Sequence, residues 1–158
     1  MVLTTEIKML VLTALLQMAS TFALVCVALV ALPTTWLMGN RGAAPEPRSK
    51  PLAALVGRMQ RAIDNTQISL MWFAVLVFAL NVSGESNATT AYLCQLFFFS
   101  KVAYNVSYSL GVPVVRTVVW AAGLAILIAL AVPMLGIQLP AEMVSLKDQF
   151  PLPKIELC

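Results

Sequence analysis

Residues 9–32 carry no charged side chain, and the polar interruptions are Thr13, Gln17, Ser20 and Thr21. A helix crosses the hydrocarbon core of a bilayer in ~20 mostly apolar residues, so this run is long enough to span. It is too long for the core of a cleaved leader and is expected to stay as a span. Three more runs follow: 65–82, 89–110 with Lys101 inside it, and 114–137 with Arg116 near its start. The second run continues a helical stretch from near Leu52, in which Gly57 is the one weak point. Pro33, Pro113 and Pro140 stand near run ends, where proline is expected. Pro133 falls inside the last run and should kink or end it early. In lipid, backbone polar groups must be satisfied within helices or a closed barrel. The runs lack period-two alternation, so helices win. The expectation is an all-α, four-helix transmembrane bundle over residues 1–137, with spans at about 7–32, 58–82, 89–110 and 114–137. An extended tail occupies 138–158.

Composition supports lipid as the main solvent: 60% of residues are hydrophobic and 11% charged. An average soluble domain carries roughly 25% charged residues. The absence of histidine removes Ser-His-Asp and Cys-His catalysis and histidine metal sites from this chain acting alone. A net charge of +3, scattered along the chain, gives no footprint for nucleic acid. Cys26, Cys94 and Cys158 are too far apart for a metal motif and read as free thiols.

The charges that remain set an orientation. Arg41, Arg48 and Lys50 lie between the first two runs, and Arg58 and Arg61 follow just inside the next helix. These are five of the ten basic residues, whereas the loop over 81–90 carries only Glu85. The positive-inside rule places the first loop on the cytoplasmic or matrix side, and both termini opposite. A bacterial inner membrane or an organellar membrane fits. The sequons beginning at Asn81 and Asn87 are read as chance occurrences.

Ionisable residues at membrane depth are costly, so each is a candidate site. Lys101, Tyr104 and Tyr108 are spaced three and four apart and share one helical face. Arg58, Arg61, Asn65 and Ser69 form a matching stripe on the second span, with Asp64 in reach of Arg61. Arg116 and Thr117 open the fourth span. Taken singly, these residues also read as headgroup anchors, a snorkelling lysine, an aromatic belt and interhelical amide glue. Taken together, they put cations, an amide and phenols at one depth on the basic side. That set suits an anionic, carboxylate-bearing ligand, and Arg116 would favour the thiolate of a bound thiol.

The stretch RMQRAIDNTQISLMWF over 58–73 resembles the second-helix signature of the MAPEG family, membrane-associated proteins in eicosanoid and glutathione metabolism. The matching positions are Arg58, Arg61, Ala62 and Asn65. The segment KVAYNVSYSLGVPVVRTVVWAAG over 101–123 resembles that family's third helix, turn and fourth helix. The loop GNRGAAPEPRSKP is similar to the proline-rich loop of bacterial-type members. The resemblance implies a homotrimer with glutathione bound between subunits at the cytoplasmic end. It implies glutathione contacts from Arg61, Asn65, Tyr104 and Tyr108, with Lys101, Thr117 and Arg41 as further candidates. Arg116 would be the catalytic residue that holds the thiolate for attack on a lipophilic electrophile, in a transferase or peroxidase reaction.

Two departures temper that implication. The glutamate expected three residues after Asn65 is Ile68, so the partner for the glutathione ammonium is missing. Losing a charge-assisted hydrogen bond costs ~1.5–3 kcal/mol. Asp64 stands where prostaglandin-synthase-type members have a basic residue. The tail QLPAEMVSLKDQFPLPKIELC adds apolar residues and prolines that a catalytic bundle does not need. It reads either as a segment lying on its own bundle or as a strap for a partner protein. The alternative to an enzyme is therefore a non-catalytic accessory subunit or a lipid-binding protein of a larger membrane complex.

Overall fold

The computed structural model of the chain describes residues 3–39, 46–135 and 137. Arg41, Pro140, Cys158 and the tail over 138–158 lie outside the described residues. Among these residues the fold is all-helical. Helix α1 is Thr5–Ala31, α2 is Thr34–Met38, α3 is Lys50–Ser83, α4 is Ala88–Leu110 and α5 is Pro113–Ala131, followed by a 3-10 turn over Pro133–Leu135.

The boundaries follow local chemistry. The Thr4 hydroxyl accepts the Ile7 N–H at 3.4 Å and starts α1. Pro51 sits in the first turn of α3, where its missing N–H costs nothing. Asn87 and Thr90 form a reciprocal capping box that starts α4. Gly111 ends α4 at φ 77°, a left-handed conformation that a Cβ would penalise. The sequence did not predict α2: Pro33 ends the first apolar run, and five residues after it wind one further turn.

Three stretches have the length and apolar composition to cross a membrane: Thr5–Ala31, Lys50–Ser83 and Pro113–Leu135. Sequence reading expected a fourth at 89–110. Helix α4 is long enough at 23 residues, but Gln95, Lys101 and Asn105 dilute its apolar character, and it does not join the three.

The core forms where α1, α3, α4 and α5 meet. Phe73 of α3 and Phe97 of α4 are fully buried, with ring centroids 4.3 Å apart. Val77, Leu80, Leu93, Leu127 and Leu130 pack around them. In lipid, apolar burial alone does not join helices, so packing and interhelical hydrogen bonds fasten them. At the end holding the α3–α4 loop, the Thr4 hydroxyl donates to Asn81 Oδ1 at 2.9 Å. The Thr90 hydroxyl donates there to the buried Glu6 carboxylate at 2.8 Å. Glu6 thus meets the first turn of α4, where backbone N–H groups favour a negative charge. Midway, Gln17 donates its amide to the Ile63 carbonyl at 3.1 Å. At the basic end, Arg58 Nε donates to the Ser109 carbonyl at 3.3 Å, which ties α3 to the last turn of α4.

Candidate functional site

The basic end of α3, α4 and α5 encloses a cleft of about 230 Å³, lined by Asn65, Tyr104, Tyr108, Arg116, Thr117 and Trp120. Each helix contributes by its own register. Tyr104 and Tyr108 are four residues apart on α4, so their rings stack along one face; the centroids are 5.5 Å apart and the planes meet at 62°. Both rings are buried. The turn at Gly111 and Val112 reverses the chain, and Pro113 starts α5. Arg116 therefore falls one turn inside α5, with its guanidinium 4.8 Å from the centre of the Tyr108 ring. Trp120 follows one turn later and forms a wall of the same cleft. From α3, Asn65 donates its amide N–H to the Tyr104 hydroxyl at 3.1 Å.

These contacts give the cleft a direction. Tyr104 accepts from Asn65, which leaves its own O–H free to donate. The Tyr108 face holds the Arg116 guanidinium by a cation–π contact, which fixes a long flexible side chain without neutralising it. The result is a half-open site with a cation, two phenols and an amide, fit to hold a carboxylate or a thiolate.

Four of the expected site residues thus converge: Asn65, Tyr104, Tyr108 and Arg116. Thr117 also lines the cleft, but its hydroxyl donates to the Pro113 carbonyl of its own helix at 3.0 Å. Lys101 is not brought into the cleft. It is only 3% exposed, its Nζ lies 5.0 Å from the Phe97 ring centre and 5.7 Å from that of Tyr104, and it packs toward Gly123 of α5. A Cβ at position 123 would stand 3.4 Å from that Nζ, so a glycine there makes room for the lysine. Arg61 is exposed on α3 and does not line the cleft; its Nη1 lies 3.8 Å from where a Gly57 Cβ would be. Arg41 lies outside the described residues. Sequence reasoning missed Trp120 as a site residue, although its position four after Arg116 was a usable signal. Among the described residues no cluster of three His, Cys, Asp or Glu side chains could hold a metal ion.

An apolar helical fold with three helices long and apolar enough to span, and a cationic and phenolic cleft at one end, defines a membrane protein. The sequence model of the MAPEG family matches residues 9–136, and the chain belongs to that family. Comparisons with curated proteins and with solved structures return no match.

Proposed function

We propose that the chain is a glutathione-dependent transferase or peroxidase acting on lipophilic electrophiles. In this reading the chain is a four-helix transmembrane bundle that works as a homotrimer, with its proline-rich first loop on the cytoplasmic or matrix side. The observation that carries it is the line of contacts from Asn65 through Tyr104 and Tyr108 to Arg116. Glutathione supplies a thiol nucleophile. Asn65 and the two tyrosines orient its polar groups, and Arg116 holds the negative charge of the thiolate. The donor set fits the anionic part of glutathione. It does not fit the ammonium, because Ile68 offers no acceptor.

Two features support the finer points of architecture. The polar groups of α4 face inward: Lys101, Tyr104, Ser107 and Tyr108 are buried, while Val106 and Leu110 face out. A helix with that polarity crosses lipid without exposing its charge, so α4 is assigned as the fourth span. On α3, Ile68, Met71, Trp72, Val75, Phe78 and Val82 form an exposed apolar stripe running on from Asn65. That stripe supplies a surface for neighbouring copies, beside the open side of the cleft.

The experiment is calorimetric titration of glutathione into detergent-solubilised protein. Binding is expected for the native chain and is weakened in Arg116→Ala; no binding at millimolar glutathione sinks the proposal. A second reading, a non-catalytic accessory subunit or lipid-binding protein, is favoured by Ile68, 48% exposed at the position where a carboxylate would complete the site. Native gels in mild detergent separate the two, because migration only as a free trimer argues against an accessory role.

A further inference from the structure

A second and larger cavity, of about 600 Å³, lies between the last turns of α1, the short helix α2 and the first turns of α3. Its walls include Leu24, Ala28, Leu32, Trp36, Val56 and Gly57. The volume falls within the range of ligand pockets, roughly 300–1,000 Å³. Apart from Thr21 and Gln60 the lining is apolar or glycine, so it offers little to a polar ligand. Gly57 leaves the α3 side open: a Cβ there would meet only Arg61 Nη1, at 3.8 Å.

The surroundings are cationic. The Arg48 N–H donates to the Ala31 carbonyl at 3.0 Å, which holds the Arg48 backbone beside the α1 turns that wall the cavity. Lys50 starts α3 two residues later. Arg61, which the cleft does not use, reaches back over Gly57. The acidic groups nearest to these residues in the chain are Glu46 and Asp64, so three cations stand against two carboxylates. An apolar slot with cations beside it, walled by two membrane-competent helices, matches a lipid that carries a negative headgroup.

We propose that this cavity holds an acyl chain of an anionic phospholipid whose phosphate pairs with Arg48 and Lys50. The cavity is lined by α1, α2 and the first turns of α3, whereas the cleft is lined by α4, α5 and Asn65, two turns further along α3.

Trp36 reports on the cavity. In a Trp72→Phe/Trp120→Phe background it is the remaining tryptophan. The protein is reconstituted in phosphatidylcholine vesicles containing either brominated phosphatidylglycerol or brominated phosphatidylcholine at equal mole fraction. Trp36 fluorescence is expected to be quenched at a several-fold lower fraction of the anionic lipid. Each surface cation contributes a factor of about five, so Arg48→Ala/Lys50→Ala should erase roughly 25-fold of preference, or all of it if the preference is smaller. Gly57→Leu fills the slot, favours the helix and should abolish the preference while non-selective quenching persists. Equal quenching by the two lipids overturns the proposal. So does a preference that survives the double alanine change, which does not touch the core. If Gly57→Leu instead lowers the mass of the solubilised assembly, a second copy fills the cavity and the lipid assignment fails.

Discussion

Replacing Ile68 with glutamate tests whether the cleft is a glutathione site lacking one partner. Position 68 lies three residues beyond Asn65 on the same face of α3 and is 48% exposed, so its own subunit leaves room for a carboxylate there. Restoring a charge-assisted hydrogen bond to an ammonium should contribute ~1.5–3 kcal/mol. Asp64 lies four residues earlier on the same helix, and a like-charge pair at that spacing costs ~0.2–0.5 kcal/mol. The net gain corresponds to about five- to hundred-fold tighter binding. Calorimetric titration of Ile68→Glu with glutathione measures it, and a parallel titration with a des-amino analogue isolates the ammonium. The reasoning is refuted if the folded variant binds glutathione no better than the native chain. It is equally refuted if the des-amino analogue gains as much.

Other changes probe separate links. Arg116→Ala should raise the pH at which bound glutathione ionises, because the thiolate loses its cation; ultraviolet absorbance of the thiolate follows it, and Arg116→Lys should restore part of the effect. Gln17→Met should leave thermal stability unchanged or raise it. The Gln17 Oε1 is buried without a partner, and removing an orphan acceptor offsets the loss of one interhelical bond worth about 0.6 kcal/mol. A clear drop in the midpoint would contradict this. Gly111→Ala should destabilise by ~1–2 kcal/mol, since φ 77° is costly for a residue with a Cβ; the unfolding midpoint in denaturing detergent is the readout.

The apolar runs made α1, α3 and α5 legible, because span length and lack of charge are local properties. Four of the cleft residues were legible as well. Tyr104 and Tyr108 sit four apart, Arg116 stands just past a glycine–proline turn, and Asn65 continues a polar stripe. Directions across helices were not. Lys101 shares a face with Tyr104, but the rings of Phe97 and Tyr104 and the gap at Gly123 draw it toward α5. Nothing local to position 101 specifies a glycine 22 residues later. Arg58 read as a headgroup anchor, yet it binds the end of α4, a contact across 51 residues of chain. Glu6 drew no attention in a short polar lead-in, because its partner Thr90 is 84 positions away.

That last distance bears on how the chain is made. Thr4 bonds to Asn81 and Glu6 to Thr90, 77 and 84 residues downstream. A ribosome adding about 5–20 residues per second needs roughly 4–17 s to cover the longer gap. During that interval the carboxylate of Glu6 has no Thr90 to pair with. The amino-terminal end of α1 can therefore lock only once the start of α4 has emerged, which makes fastening of the first helix a late event in biogenesis.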